Sequence, residues 1–298
     1  MEPTVAVIGL GSMGLGMARS CLREGMKVHG ADAVPSRAAA FEAEGGLAGE
    51  LADLAPGLNA VVVVVLNAQQ VETVLFGQNG VVPKLSEGTV VMCCATVAPA
   101  FAAQMAERCA EHGVHYLDAP ISGGAKKAAE GRLGIMSSGS PEAFAAAGPV
   151  LSATAETVFE LGESAGSGSA MKAVNQLLAG VHIAAMGEAI TFAMTQGIAP
   201  ETFVKVISQC AGTSWMLENR APHVVAGDYT PMSQINIWPK DLGIVLDVAR
   251  SADFSAPITE TALAQYQKAT EMGLGAEDDA AIAKVYAAQA GLILPDKK

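Results

Sequence analysis

Residues 5–14, Val-Ala-Val-Ile-Gly-Leu-Gly-Ser-Met-Gly, decide how the rest of the chain is to be read. Val5–Ile8 is a short β-type run. Gly9, Gly11 and Gly14 follow in the pattern G-x-G-x-x-G, and a helical stretch then runs to Arg23. A strand that passes through such glycines into a helix suits a dinucleotide. The glycines permit a tight turn and let the backbone approach a pyrophosphate, and the helix N-terminus offers unpaired N–H groups to it. The glycine pattern by itself also occurs in incidental turns. Here strand and helix are both in place, and an acidic residue, Asp32, ends a second extended run 18 residues past Gly14. Gly9, Gly11, Ser12, Met13, Gly14 and Asp32 are therefore candidate cofactor contacts. Asp32 would accept hydrogen bonds from ribose hydroxyls and repel a 2′-phosphate, which favours NAD over NADP. Arg37 argues the other way, but it lies in the next helical stretch, where a solvated face is the plainer reading.

Outward from this motif the first half alternates. Lys27–Ala31, Ala60–Leu66, Thr89–Cys93, Val114–Leu117, Leu133–Ser137 and Thr157–Leu161 read as extended; Ser36–Glu44 and Pro99–Glu111 read as helical. Such alternation indicates βαβ units and a doubly wound, mostly parallel sheet, an α/β fold. After about Gly166 the pattern changes. A long helix comes first, then Pro200–Gln209, Lys240–Ala252, Pro257–Met272 and Asp278–Ala290 at helical period, with no convincing strand. The glycine-rich stretch 162–168 marks the boundary.

The bulk numbers agree with two domains. Of 298 residues, 51% are hydrophobic and 16% charged, so a large core can be buried. The formal net charge of −12 argues against nucleic acid and anionic membrane as partners. The cysteines Cys21, Cys93, Cys94, Cys109 and Cys210 are odd in number and lack zinc spacing, which fits reduced, mostly buried thiols in the cytoplasm. The five histidines form no ligand spacing with carboxylates, so no metal is expected. The acidic N-terminus runs at once into a strand, without a signal-peptide pattern.

Three further motifs carry chemistry. Ser122-Gly123-Gly124 closes the stretch Asp118-Ala-Pro-Ile-Ser-Gly-Gly124, just after an extended run. Ligands of an open parallel sheet sit beyond the carboxyl ends of its strands, so this is a cradle for a carboxylate or an ordinary strand-to-helix turn. Lys172, Asn175 and Gln176 share one helix face at i, i+3 and i+4. From Ser169 to Gln196 the only charged residues are Lys172 and Glu188. A lysine in so apolar a helix either snorkels to solvent or faces a site that needs a proton donor. Lys240, in Trp238-Pro-Lys-Asp-Leu242, stands near a helix N-terminus that is already partly positive. Its partner is Asp241 or the oxygens of a cofactor or substrate.

Taken together, in this order and spacing, these motifs resemble the β-hydroxyacid dehydrogenase family, of the 3-hydroxyisobutyrate dehydrogenase type. The likeness covers essentially the whole chain. Its most specific part is the Ser-Gly-Gly turn followed some fifty residues later by Gly-x-Gly-x-x-x-Lys-x-x-Asn. Residues 213–245, TSWMLENRAPHVVAGDYTPMSQINIWPKDLGIV, look most like the L-threonate dehydrogenase branch. The resemblance implies a Rossmann domain, residues 1–163, and an all-helical substrate and oligomerisation domain, residues 164–298, joined by an interdomain helix at about 169–196. It implies that Lys172 is catalytic, that Ser122, Gly123 and Gly124 hold a substrate carboxylate, and that Asn175 or Gln176 supports the substrate hydroxyl. It adds Leu66, Asn67, Thr96 and Lys240 as cofactor contacts and a homodimer or homotetramer as the assembly. Two features depart from commoner members: Gln176 stands where a second asparagine is usual, and Trp238 and Pro239 precede the Lys-Asp-Leu triplet.

The expected reaction is NAD-dependent oxidation of a short hydroxy acid, L-threonate foremost. Lys172, its stem in an apolar wall, is expected to have its proton affinity lowered and to serve as acid and base. 3-Hydroxyisobutyrate dehydrogenase and tartronate semialdehyde reductase activities are the alternatives. A non-catalytic dinucleotide-binding module would be marked by loss of the lysine, which is present.

Overall fold

The computed structural model describes residues 2–297. The chain divides into two compact units, Met1–Lys172 and Ala173–Lys298.

The first unit alternates as its sequence does. In chain order it runs β1 Thr4–Ile8, α1 Ser12–Arg23, β2 Lys27–Ala31, α2 Pro35–Ala43, α3 Leu51–Leu54, β3 Ala60–Val63, α4 Ala68–Phe76, β4 Val90–Cys93, α5 Pro99–Ala110 and β5 His115–Asp118. These strands form one wholly parallel sheet in the order β2-β1-β3-β4-β5. Both faces are covered, which is why β3 and β4 are unbroken apolar runs. Along β1, Val5 and Val7 pack with Met17 and Cys21 of α1 on one face. Ala6 and Ile8 pack with Val71 and Leu75 of α4 and Met105 of α5 on the other.

The chain continues through β6 Ile121–Ser122, α6 Gly124–Glu130, β7 Leu133–Ser137, α7 Pro141–Thr154 and β8 Ala155–Glu160. The runs at 133–137 and 157–161 do not extend the main sheet. They form a second, three-stranded sheet, β6-β7-β8, with β6 and β7 antiparallel and β7 and β8 parallel. Backbone bonds between Asp118 and Ser138, 3.0 and 2.8 Å, join the end of β5 to the end of β7. The strand expected over Ala60–Leu66 stops at Val63, because the chain turns there to reach the cap of α4 at Asn67.

From Ser167 the chain is helical. α8, Ser167–Thr195, is 29 residues long and continuous across the boundary between the units. α9 Pro200–Ile207, α10 Trp215–Ala226, α11 Ile237–Ser251, α12 Pro257–Glu271 and α13 Ala283–Ala290 follow. The second unit's core joins Ile183, Met186 and Ile190 of α8 to Trp238 and Leu242 of α11 and Tyr266 of α12. α8 is long and apolar enough to cross a membrane by composition alone, yet those three residues are fully buried in the core. Its other side leaves Met171, Val174, Leu178 and Phe192 exposed. The helix expected over 278–290 is split: a 3-10 turn at Asp279–Ile282, capped by Asp278, precedes α13.

Candidate active site

The sequence-identified residues of the first unit gather at the carboxyl edge of the five-stranded sheet. β2 lies on one side of β1 and β3 on the other, so the chain's connections reverse direction beside β1, where ligands of such sheets bind. The glycine loop stands there. Gly9 has φ +98°, and a Cβ on it would meet the Val64 carbonyl oxygen at 2.4 Å. A Cβ on Gly14 would lie 1.8 Å from the Gly9 carbonyl oxygen, so α1 seats directly on the loop. At Gly11, the residue before α1, a Cβ would have no atom within 4 Å. Gly11 supplies no side-chain cap, which leaves the first N–H groups of α1, around Ser12 and Met13, turned to open space. A loop packed tightly on one side and open over a helix N-terminus fits a pyrophosphate.

Asp32 follows β2 directly. Its carboxylate accepts from Leu10 N at 2.7 Å and Val34 N at 2.8 Å. Burial pushes its carboxyl up, but those two N–H groups and Arg37 outweigh it, and the net shift is downward. Asp32 therefore stays an acceptor, as ribose hydroxyls require. Arg37, read from sequence as a solvated helix residue, reaches back so that Nη1 lies 3.4 Å from both Asp32 oxygens, its side chain still half exposed. Leu66 is exposed after β3. Asn67 caps α4 by accepting from Gln70 N at 2.9 Å. Thr96 is half-buried in the loop between β4 and α5. Gly11, the helix end and Asp32 thus suit the pyrophosphate and adenosine ribose of NAD.

Ser122, Gly123 and Gly124 lead from β6 into α6, with Gly123 at φ +131° and Gly124 at φ +75°. The first turns of α8 stand against this segment. Lys172 is buried, 8% exposed, and its Nζ donates to the Ile121 carbonyl at 2.9 Å, one residue before Ser122. The lysine does not snorkel to solvent.

A set of residues that sequence reasoning missed lies beside it. Asp118 is fully buried. Its carboxylate accepts from Gly166 N at 2.9 Å, Ser169 N at 2.8 Å and Ser169 Oγ at 2.7 Å, with Ser138 Oγ at 3.4 Å. Ser138 Oγ accepts from Gly168 N at 3.0 Å. Burial pushes the Asp118 carboxyl up, against the pull of Ser169, Gly166 and Ser138. The signal in sequence was a lone charge ending an apolar strand.

Asn175, Gln176 and Lys240 belong to the second unit and converge on Asp241. Asn175 Nδ2 donates to Gln176 Oε1 at 3.0 Å, and Gln176 Nε2 donates to Asp241 Oδ2 at 2.5 Å. Lys240 Nζ lies 2.5 Å from Asp241 Oδ1. Asn175 gives one of its two amide N–H groups to this bond. Trp238 is buried; it stacks on Tyr266 at 5.6 Å and donates Nε1–H to Asp279 at 3.1 Å. Ser214 caps α10 through Leu217 N.

Known proteins resemble this chain over nearly its whole length. The profile of the NAD binding domain of 6-phosphogluconate dehydrogenase matches residues 4–162. The profile described as NAD-binding of NADP-dependent 3-hydroxyisobutyrate dehydrogenase matches residues 166–286. The chain is 45% identical over 298 residues to an L-threonate dehydrogenase of Cupriavidus necator, which spans 100% of this chain and 99% of that one. It is 46% identical over 296 residues to an L-threonate dehydrogenase of Haemophilus influenzae, covering 99% and 97%. Among solved structures, a 3-hydroxyisobutyrate dehydrogenase of Salmonella typhimurium aligns with TM-score 0.90 at 44% identity, over 95% of this chain and 100% of that one.

Proposed function

The chain belongs to the family of NAD(P)-dependent hydroxyacid dehydrogenases of the 3-hydroxyisobutyrate dehydrogenase type, and from that premise we propose that its substrate is L-threonate, oxidised to its 2-oxo acid, with Lys172 as the acid and base. Full-length identity of 45–46% to L-threonate dehydrogenases supports this substrate. The observation that carries the mechanism is a buried amine, Lys172 Nζ, hydrogen-bonded 2.9 Å from Ile121 O beside the Ser122 turn.

In this reading residues 1–163 are the dinucleotide-binding domain, which also carries the Ser122 turn, and 164–298 the helical substrate and oligomerisation domain, which also carries Lys240. Gly9, Gly11, Ser12, Met13 and Gly14 hold the pyrophosphate and Asp32 the adenosine ribose, with Leu66, Asn67, Thr96 and Lys240 as further contacts. The chemistry a bound NAD supplies is acceptance of hydride from the alcohol carbon. Everything else falls to side chains. The Ser122 hydroxyl and the Gly123 and Gly124 N–H groups hold the carboxylate and so orient the alcohol carbon. Lys172 Nζ takes the hydroxyl proton, and the Ile121 carbonyl accepts from the ammonium that results. In the reverse direction Lys172 returns it. Asn175 and Gln176, tied to each other and to Asp241, offer their remaining polar atoms to the further hydroxyls of a four-carbon sugar acid, which smaller acids lack. The assembly is a homodimer or homotetramer in the cytoplasm, formed over the exposed apolar side of α8.

Lys172→Ala should lower kcat by about 10²–10⁴-fold while NAD still binds. An active Lys172→Ala enzyme would remove the lysine from the mechanism. L-threonate, D-threonate, 3-hydroxyisobutyrate, glycerate and L-serine, each with NAD and NADP, test the substrate. Preference for L-threonate with NAD is expected. Equal rates on several short acids would leave the family and refute the narrow assignment, with 3-hydroxyisobutyrate the next reading, favoured by the Salmonella structure.

A further inference from the structure

The start of α8 has no cap of its own. Gly166 and Gly168 carry no side chain, and Ser167 is exposed. The helix is ended from outside, by two residues of other elements. Asp118, last residue of β5, takes the N–H groups of Gly166 and Ser169 and the Ser169 hydroxyl. Ser138, just past β7, takes Gly168 N. A Cβ on Gly168 would lie 2.4 Å from Met136 O and 2.9 Å from Asp118 O, so the fit leaves no slack. The same short segment then grips the helix again: Ile121 O accepts from Lys172, three residues past Ser169. Asp118 at Ser169 and Ile121 at Lys172 are two clamps about one turn apart.

We propose that Asp118 is a positioning residue for Lys172, a remote cap whose carboxylate sets the rotation and height at which α8 delivers the lysine to the Ile121 carbonyl. This rests on the reading of Lys172 as the proton-transfer group. Slipping the helix by one residue turns it by about 100°, which would swing the amine away from that carbonyl. Two hydroxyls and two N–H groups hold the carboxylate from several directions, so it fixes rotation as well as height. An ordinary first-turn cap, drawn from the adjoining residue, would leave the helix free to move with its own loop. The other ionisable groups near Asp118 are Cys93, Cys94 and Tyr116, all buried. Burial first, and the Asp118 charge in addition, pushes the Cys93 thiol up to about 11 and the other two well above their ordinary values. None of the three titrates near neutrality, and the acetylation of Lys172 itself separates the lysine from the Asp118 carboxyl, which burial also raises.

Three measurements test this on the full-length enzyme: NAD affinity, the pH profile of kcat, and the reactivity of Lys172 toward trace acetic anhydride, read by mass spectrometry across pH without substrate. Asp118→Asn is expected to lower kcat by about 10–100-fold, leave NAD affinity unchanged, and move both the pH profile and the acetylation of Lys172 toward those of a surface lysine. Ser169→Ala should do the same more weakly. A folded Asp118→Asn enzyme whose Lys172 reactivity and pH profile match the wild type would overturn the proposal, whatever its stability. If Asp118→Asn fails to fold, Ser169→Ala and Ser138→Ala carry the same expectation and the same refutation. Should Lys172→Ala stay active, proton transfer by the lysine fails, while the acetylation profile still decides whether Asp118 places it.

Discussion

Asp32 serves two structures at once. It ties down the glycine loop through Leu10 N and, in the proposed site, faces the adenosine ribose. Hydrogen bonds to a charged acceptor are worth about 1.5–3 kcal/mol each. Asp32→Ala should therefore weaken NAD binding by roughly 10–100-fold in a calorimetric titration, and unchanged affinity would take the residue out of the site. Arg37 would be released from its ion pair in that variant and become available to a 2′-phosphate, so the preference over NADP should narrow as well. The glycine turn and the acid that follows β2 were legible as structure because a tight turn into a helix needs one residue type at one place along the chain. Asp118 was not, since its partners Gly166 and Ser169 lie 48 and 51 residues away and no local spacing announces them. Gln176 was read as part of the polar face with Lys172 and Asn175 and as a departure from an expected asparagine, without its partner Asp241. The structure gives its extra methylene a use, reaching Asp241.

Among the elements, strands with both faces buried were found from unbroken apolar runs, with β3 ending three residues earlier than its run, whereas several helices were not found. α10 escaped because Pro222 interrupts its pattern and its burial is confined to Leu217, Arg220, Ala221 and Val224. The break before α13 escaped because Asp278 and Asp279 look like exposed helix-start acids, yet both are fully buried. Asp279 pairs with Arg220 at 2.5 Å, joining the 3-10 turn to α10. Asp278 accepts from His223 Nδ1 at 2.9 Å, Met232 N at 2.9 Å and Ala280 N at 3.1 Å. Burial raises its carboxyl, but those three donors outweigh it and the net shift is downward. A depressed value means stability that is fully present above the ordinary carboxylate range and lost as pH falls through the lower, folded value. Asp278→Asn should therefore cost about 1–3 kcal/mol at pH 7 in urea unfolding. The deficit should close below about pH 4, and a deficit independent of pH would contradict the assignment.

At the scale of the molecule, a net charge of −12 faces an anionic substrate. Repulsion at long range is screened as the Debye length falls from about 30 Å at 0.01 M salt to about 8 Å at 0.15 M. With L-threonate, kcat/KM is expected to rise over that interval through KM, with kcat flat. A fall would mean that local positive charge at the site governs capture instead. Two architectures in one chain were legible from where strands cease, near Gly166. The separate small sheet was not, because β6 is two residues long and pairs through hydrogen bonds that leave no trace in hydropathy. The remote cap of α8 also bears on how the chain is made. A ribosome releases Asp118 and Ser138 before a single residue of α8 has emerged. The longest helix of the protein is thus born against an end-stop already in place, and its first turn need not wait for anything synthesised after it.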